Sequence, residues 1–344
     1  VWEGEAVKLS PIPIFEFCEK SNIPVAEIEA TCLFNINELN PYFNIKPGLI
    51  LSRNAISIDE KDNLYFLDFN NHRVLKFDMR GNFLGQIGSI GQGNKDLFYP
   101  QGIFIHQNSV YVLDDSGSKL KMYSQEGDFL SCLEIDDKVN VKSFFVTKNL
   151  IILNALHKKN FNKTKPISIY TKKFTKINEI GKIVVTPSST ASSVFNEMFV
   201  VFYDNSIYGC LKTLPIIFRN NVNGIEIVYK DLREMNIKEI LTIENQGKKR
   251  GVDSPESIKD NNRIRSMIYC DGFGISGNGD IYYALNYDRA RRGLILHMNS
   301  EGELIEKIIL KVNDEQPRIE RILIRKNETF ALLNKNNNFL FCKF

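Results

Sequence analysis

AISIDEKDNLYFLDFNNHRVLKFDMRGNFLGQIG, residues 55–88, and GIFIHQNSVYVLDDSGSKLKMYSQEGDFLSCLEI, residues 102–135, are two copies of one phrase. Leu64 matches Val110, Asp68 matches Asp114, Phe77 matches Tyr123 and Gly81 matches Gly127, each pair 46 residues apart. A fixed period of roughly 40–50 residues marks an array of identical supersecondary units. Within each copy, apolar and polar residues alternate or apolar residues run on, and β-branched and aromatic types dominate, which is strand patterning. Asp62-Asn63, Asn70-Asn71, Arg80-Gly81 and Glu126-Gly127 interrupt the runs with turn chemistry. Each copy therefore encodes four short antiparallel strands, the blade of a β-propeller.

Weaker copies follow. Residues 142–180 contain KSFFVT, NLIILNAL, KPISIYTK and FTKINEI. Residues 198–243 contain MFVVFYD, SIYGCLK, GIEIVYKD and KEILTIE, with TLPIIFRNNVN read as an excursion before the third strand. Residues 272–309 restore the phrase, and RILIRKNETFALLNKNNNFLFCKF ends after three strands. An open sheet edge is a liability, so the N-terminal EIEATCLFNI (27–36) is expected to supply the missing strand. The expected fold is all-β: a six-bladed β-propeller of four-stranded antiparallel blades, closed by an N-terminal strand. Residues 1–50 form the N-terminal segment and 51–344 the single propeller domain.

Pro100-Gln101-Gly102-Ile103, Asp68 with Asn71-His72-Arg73-Val74, and the glycine-rich linker IGSIGQGNKDLFYPQGI (87–103) resemble the NHL-repeat family of six-bladed propellers. Blades one, two and five carry the resemblance, while three, four and six lack most of its Gly and Asn markers. It implies that Asp68 and Arg73 pair, that Asn71 supports the turn, and that Asp114 is the blade-two equivalent of Asp68. His72 then belongs to the structural phrase and not to catalysis. Propellers host enzymes, scaffolds and receptors alike, so function must be argued from the site.

The remaining signals are sparse. A formal net charge of +3 is too small to argue for nucleic acid. No apolar run approaches the roughly 18 residues that span a bilayer. The chain starts at Val1 without methionine, so it is either processed or trimmed, and the processed alternative favours export to the periplasm or cell surface. Six cysteines are scattered without a CxxC pair. Cys32, Cys132, Cys210 and Cys342 sit among apolar residues and are expected to be small buried hydrophobes, with an isolated disulfide as the alternative.

His106 is expected in a turn, His157 in a connection, and His297 at a solvated third-strand position aligned with Lys76 and Lys121. No HxH, HExxH or Cys/His spacing appears, nor a Gly-x-Ser-x-Gly elbow. No catalytic residue, cofactor or metal is assigned. The alternative is a metal-dependent hydrolase or lyase with calcium or zinc at the central channel. The resemblance implies two precedents for it: lyases of the NHL group with several histidines, and lactonase-type propellers with acidic and Asn ligands.

Charge placement is more informative. In a blade, the turns between strands two and three emerge on the same face as the linkers between blades. That face carries Arg73, Lys119, His157, Lys158, Lys159, Lys163 and Lys335, with Lys248, Lys249 and Arg250 in the linker before blade five. Blade five adds Tyr287, Arg289, Arg291 and Arg292. The opposite turns (DEKD, DMRG, SQEG, NSEG) are acidic or mixed. Arginine forks pair bidentately with carboxylate, phosphate or sulfate. The leading expectation is a non-enzymatic binding scaffold for a protein or an anionic glycan or polymer. Since some NHL propellers bind RNA on a basic face, RNA is a further alternative, with Tyr287 and Phe161 as its aromatic platforms.

Overall fold

The computed structural model describes residues 23–39, 55–136, 138–158, 165–181, 193, 196–212, 216–222, 226–231, 270–286, 293–325, 328–336 and 338–344. The N-terminal segment contributes β1 (Val25–Glu29) and β2 (Thr31–Asn35). Blade one is β3 (Ile56–Ile58), β4 (Leu64–Asp68), β5 (Arg73–Phe77) and β6 (Phe83–Ile87). Blade two is β7 (Gly102–His106), β8 (Ser109–Asp114), β9 (Lys119–Ser124) and β10 (Phe129–Glu134). Blade three is β11 (Val139–Val146), β12 (Leu150–His157), β13 (Ile167–Thr171) and β14 (Lys176–Ile180). Blade four is β15 (Met198–Tyr203), β16 (Ser206–Leu211), β17 (Ile216–Asn221) and β18 (Glu226–Asp231). Blade five is β19 (Gly272–Ile275), β20 (Ile281–Asn286), β21 (Gly293–Met298) and β22 (Leu304–Lys311). Blade six begins with β23 (Arg318–Arg325), β24 (Glu328–Lys335) and β25 (Asn338–Lys343).

Each blade pairs its strands in chain order, so the fold is the expected six-bladed propeller. The first strands lie innermost, those of neighbouring blades touching one another around the axis. Second strands are packed on both faces: Leu64–Asp68 is buried throughout, as is Ser206–Leu211. Fourth strands form the rim, and β6 and β14 expose most of their residues at least partly. Between blades the core is aromatic and aliphatic. Leu64, Phe66 and Phe77 of blade one share a cluster with Ile103 and Ile105 of blade two and Phe330 and Phe341 of blade six. Each such side chain stabilises the ring by about 1.5–3 kcal/mol.

The turns opposite the linkers are held by short polar side chains. Asp59 Oδ1 accepts the Lys61 and Asn63 amides at 2.8 and 2.9 Å, and Asp78 Oδ1 accepts those of Arg80 and Asn82 at 2.8 Å. Ser124 and Asn299 repeat the device in blades two and five. These are Asx and ST turns, and they explain why Asp, Asn and Ser punctuate the repeat.

Closure is more elaborate than one strand. β2 completes blade six antiparallel to β25, while β1 runs parallel to β22 as a fifth strand on blade five. The switch falls at Ala30, whose amide donates to Lys311 O at 2.8 Å. EIEATCLFNI is thus two strands serving two blades. The reading of blade four also needs correcting. Its third strand lies inside TLPIIFRNNVN, where Ile217 pairs with Cys210, Phe218 with Gly209 and Asn221 with Ser206 of the buried β16. GIEIVYKD then holds the fourth strand, and KEILTIE lies outside the described residues.

Four residues differ from their expected environments. Cys32 is exposed and Cys132 half-buried, because both lie on outermost strands of blades. His297 is not solvated: it stacks on Tyr282 at 4.5 Å, with Nδ1 2.9 Å from Glu306 Oε1. Lys121 is 5% exposed, covered by the linker that its own ammonium holds. His106 and His157 are the last residues of β7 and β12. Burial pushes the His106 imidazole toward its neutral form, and nearby Lys172 adds to the effect.

Candidate functional site

Antiparallel pairing brings the ends of all second strands and the starts of all first strands to one face, around the mouth of the central channel. A polar residue stands at or near the end of each second strand: Asp68, Asp114, Asn154, Lys212, Asn286 and Asn334. Their jobs differ around the ring.

In blades one and two they hold a linker. Asp68 pairs with Arg73 Nε at 2.8 Å, and Asn71 Nδ2 donates to both Asp68 carboxylate oxygens. His72 adopts a left-handed backbone (φ 52°) and turns its ring toward residues 98–99. The Tyr99 amide donates to His72 Nδ1 at 2.8 Å, and the imidazole stacks on Phe98 at 5.8 Å. Asp114 Oδ1 accepts the Phe98 amide at 2.7 Å, while Oδ2 lies 3.0 Å from Lys121 Nζ. Lys121 in turn donates to Asp96 O at 2.6 Å and Gly93 O at 3.1 Å. All these groups are satisfied internally, which identifies a structural staple.

In blades three and five an asparagine clamps the next blade. Asn154 Oδ1 accepts the Met198 amide at 3.1 Å, and its Nδ2 donates to Asn196 O at 3.3 Å. Asn286 grips Ile319 through both backbone groups, Oδ1 accepting at 2.9 Å and Nδ2 donating at 2.8 Å. Asn286 Nδ2 also donates to Asp271 Oδ2 at 2.5 Å. In blade six, Asn334 Nδ2 and Arg318 Nε both reach Glu320 Oε1, at 3.0 and 3.3 Å.

Blade four departs furthest. Lys212 Nζ lies 4.5 Å from the centre of the Phe199 ring, and Arg321 of blade six reaches across to the same ring, its guanidinium carbon also 4.5 Å away. Two cations on one aromatic ring is a desolvated cation–π arrangement. Burial holds the Arg321 guanidinium down to about 10, and it pushes the Asp271 carboxyl up to about 6, against the stabilising Asn286 hydrogen bond and the Arg318 charge. Phe199, Lys212 and Arg321 therefore form one cation–π cluster that joins blades four and six, and Asp271, Arg318 and Glu320 lie at the neighbouring strand starts.

Asp271 and Glu320 accept hydrogen bonds from Asn286 and Asn334, and Glu320 is ion-paired with Arg318. Among the described residues, no group of three or more His, Cys, Asp or Glu gathers as metal ligands would.

A family model for DUF5128, described as a 6-bladed beta-propeller, matches residues 50–261, more than half of the chain. The chain belongs to this family. The protein brain tumor of Drosophila melanogaster is 28% identical over 91 residues, which is 26% of this chain and only 9% of that protein. A candidate exported protein from Bacteroides fragilis superimposes with a TM-score of 0.53 at 11% identity, covering 93% of this chain and 99% of its own. Regucalcin, a calcium-binding protein from Agrobacterium tumefaciens, gives 0.50 at 10% identity, covering 93% and 95%. At such identities the likeness to the solved structures is one of fold.

In this DUF5128 member, most of the basic face read from sequence lies outside the described residues: Lys159, Lys163, Lys248, Lys249, Arg250, Tyr287, Arg289, Arg291 and Arg292, with Phe161. Lys158 is exposed at the end of that face, its amide bonded to Lys138 O at 2.7 Å. Lys335 is tied down by Val312 O at 3.0 Å and Glu315 at 3.3 Å, and Lys119 lies 3.4 Å from Asp115. Sequence reasoning missed Phe199, Lys212, Asp271, Arg318, Glu320 and Arg321. A signal existed for part of this set: aligning ILN (152–154), LK (211–212), ALN (284–286) and LLN (332–334) with LD of blades one and two marks the strand-two ends. Among the described residues, no helix is long and apolar enough to cross a membrane.

Proposed function

We propose that this propeller is a non-enzymatic binding scaffold, exported to the periplasm or cell surface, whose linker-side face receives a protein or an anionic glycan. The observation that supports the reading is that the polar groups at the ends of the second strands are bonded within the protein. Small-molecule and catalytic sites present convergent polar groups to a ligand, whereas here Asp114 and Asn154 hold the protein's own backbone and Lys212, 1% exposed, packs on Phe199. Recognition then falls to the loops that a rigid ring positions. The sequence reading assigns Arg289, Arg291 and Arg292, with Lys248, Lys249, Arg250, Lys158 and Lys159, to such loops. The exported description of the Bacteroides fragilis propeller supports the compartment, and the NHL-like phrase of blades one and two supports a repeat scaffold.

Binding to immobilised heparin, a sulfated polysaccharide, tests this. Wild-type protein should bind in a salt-dependent way. Replacing Arg289, Arg291 and Arg292 together with alanine should weaken binding at least about tenfold while leaving the thermal midpoint unchanged. Equal retention of the triple variant overturns the assignment of the arginines. A stoichiometric calcium or zinc ion whose removal lowers thermal stability overturns the scaffold reading in favour of the metal-dependent enzyme.

A further inference from the structure

The ring is closed by pairing β2, near the start of the chain, with β25, at its end. In that pairing Cys32 stands directly opposite Cys342. Their sulfurs are 2.6 Å apart, inside the contact distance of two unbonded thiols and close to the roughly 2.05 Å of a disulfide. The register shifts immediately after Cys32, between Cys32 and Phe34. Such a bulge bends the strand and re-aims its side chains, which suits a cross-strand bridge.

We propose that Cys32 and Cys342 form a disulfide that locks the seam of the propeller. The two cysteines differ in the way this chemistry requires. Cys32 is exposed, so a soluble disulfide can reach it; Cys342 is buried beside it and shielded from any other partner. In the first step the Cys32 thiolate attacks a disulfide donor RSSR, forming Cys32–S–SR and releasing RS⁻. In the second, Cys342 gives up its proton and attacks Cys32 Sγ, forming the intramolecular bond and releasing a second RS⁻. Two protein thiols are oxidised by two electrons, and one RSSR is reduced to two RSH.

Location gives the bond its leverage. The two cysteines are 310 residues apart in the chain, so the bridge encloses all six blades. A cross-link over so long a loop removes much of the freedom of the unfolded chain. It also prevents the N-terminal strands from peeling away, the event that would expose the edge of β25. The other close pair, Cys210 and Cys270, makes a useful contrast. Its sulfurs lie 3.5 Å apart, both residues are buried, and Cys270 donates to Gly272 O at 3.3 Å. A disulfide donor cannot reach that pair in the folded ring.

Full-length protein equilibrated across a series of glutathione redox buffers, then alkylated and digested without reductant, tests the proposal. Peptides containing Cys32 and Cys342 should appear joined, with the loss of two hydrogens, at the oxidising end. The urea midpoint should move to higher concentration on oxidation, and C32S, altered at an exposed position, should lose that dependence. The proposal is overturned if both cysteines stay fully alkylatable at the most oxidising buffer, or if Cys32 is found joined to Cys18 instead. It is equally overturned if C32S shows the same redox-dependent midpoint as wild type.

Discussion

The seam between blades one and two and the channel mouth beside blades four to six use the same topological positions for different ends. At the first, Asp114, Lys121 and His72 hold a fourteen-residue linker (88–101) through backbone amides and carbonyls. At the second, the strand-two position carries Lys212 or Asn286, and the polar groups turn onto an aromatic ring or onto the neighbouring blade. Repeat residues that satisfy local backbone are committed to structure. Elsewhere the same position serves contacts between blades: Asn286 holds the backbone of blade six, and Lys212 shares the Phe199 ring with Arg321.

That contrast can be broken at its strongest link first. Asp114→Ala leaves the Lys121 ammonium buried without its carboxylate, and stability should fall by about 3–5 kcal/mol in urea unfolding. A loss below about 1 kcal/mol would mean that the carbonyls of Gly93 and Asp96 suffice. His72→Ala should cost less, about 1–2 kcal/mol, since one amide loses its acceptor and one ring its stacking partner. Hydrogen exchange should show the Tyr99 amide deprotected, while heparin binding stays unchanged. Reduced binding would make His72 part of the recognition surface after all.

The smallest effect sharpens the other side. The Asp271 carboxyl titrates at about 6 in the folded ring, against about 3.9 in an unfolded chain. The folded state therefore holds this proton more tightly. Below about pH 4 both states are protonated and Asp271 costs nothing, but as pH rises toward 6 its ionisation in a buried setting costs stability. Asp271→Asn escapes that cost. It should match wild type at pH 4 and exceed it by about 1–2 kcal/mol at pH 7, allowing for partial exposure of the carboxylate. A pH-independent difference would show that Arg318 and Asn286 already compensate the charge.

Much of the fold was legible because blades are local. Strand period, Asx turns and the 46-residue repeat each lie within a few dozen residues, and every one marks a blade. Legibility failed where residue types were misleading. Pro215 and the polar RNN that follows Phe218 make TLPIIFRNNVN look like a loop, yet Ile217 and Phe218 pair with a fully buried strand. Cys32 sits in the apolar-looking TCLFN, but on the outermost strand of its blade its side chain is exposed. The site was less legible than the fold. Arg321 of blade six and Lys212 of blade four are 109 positions apart and meet only over Phe199.

By itself the sequence determined the blade, the number of blades and the need for an N-terminal strand to close the ring, because those follow from periodicity and from hydrogen bonds that an edge would leave open. Only the tertiary structure decided that the closing segment divides between two blades, that Cys32 faces Cys342, and that two cations from different blades share one ring. Ring closure makes neighbours of residues far apart in the chain, and no local pattern encodes which of them will touch.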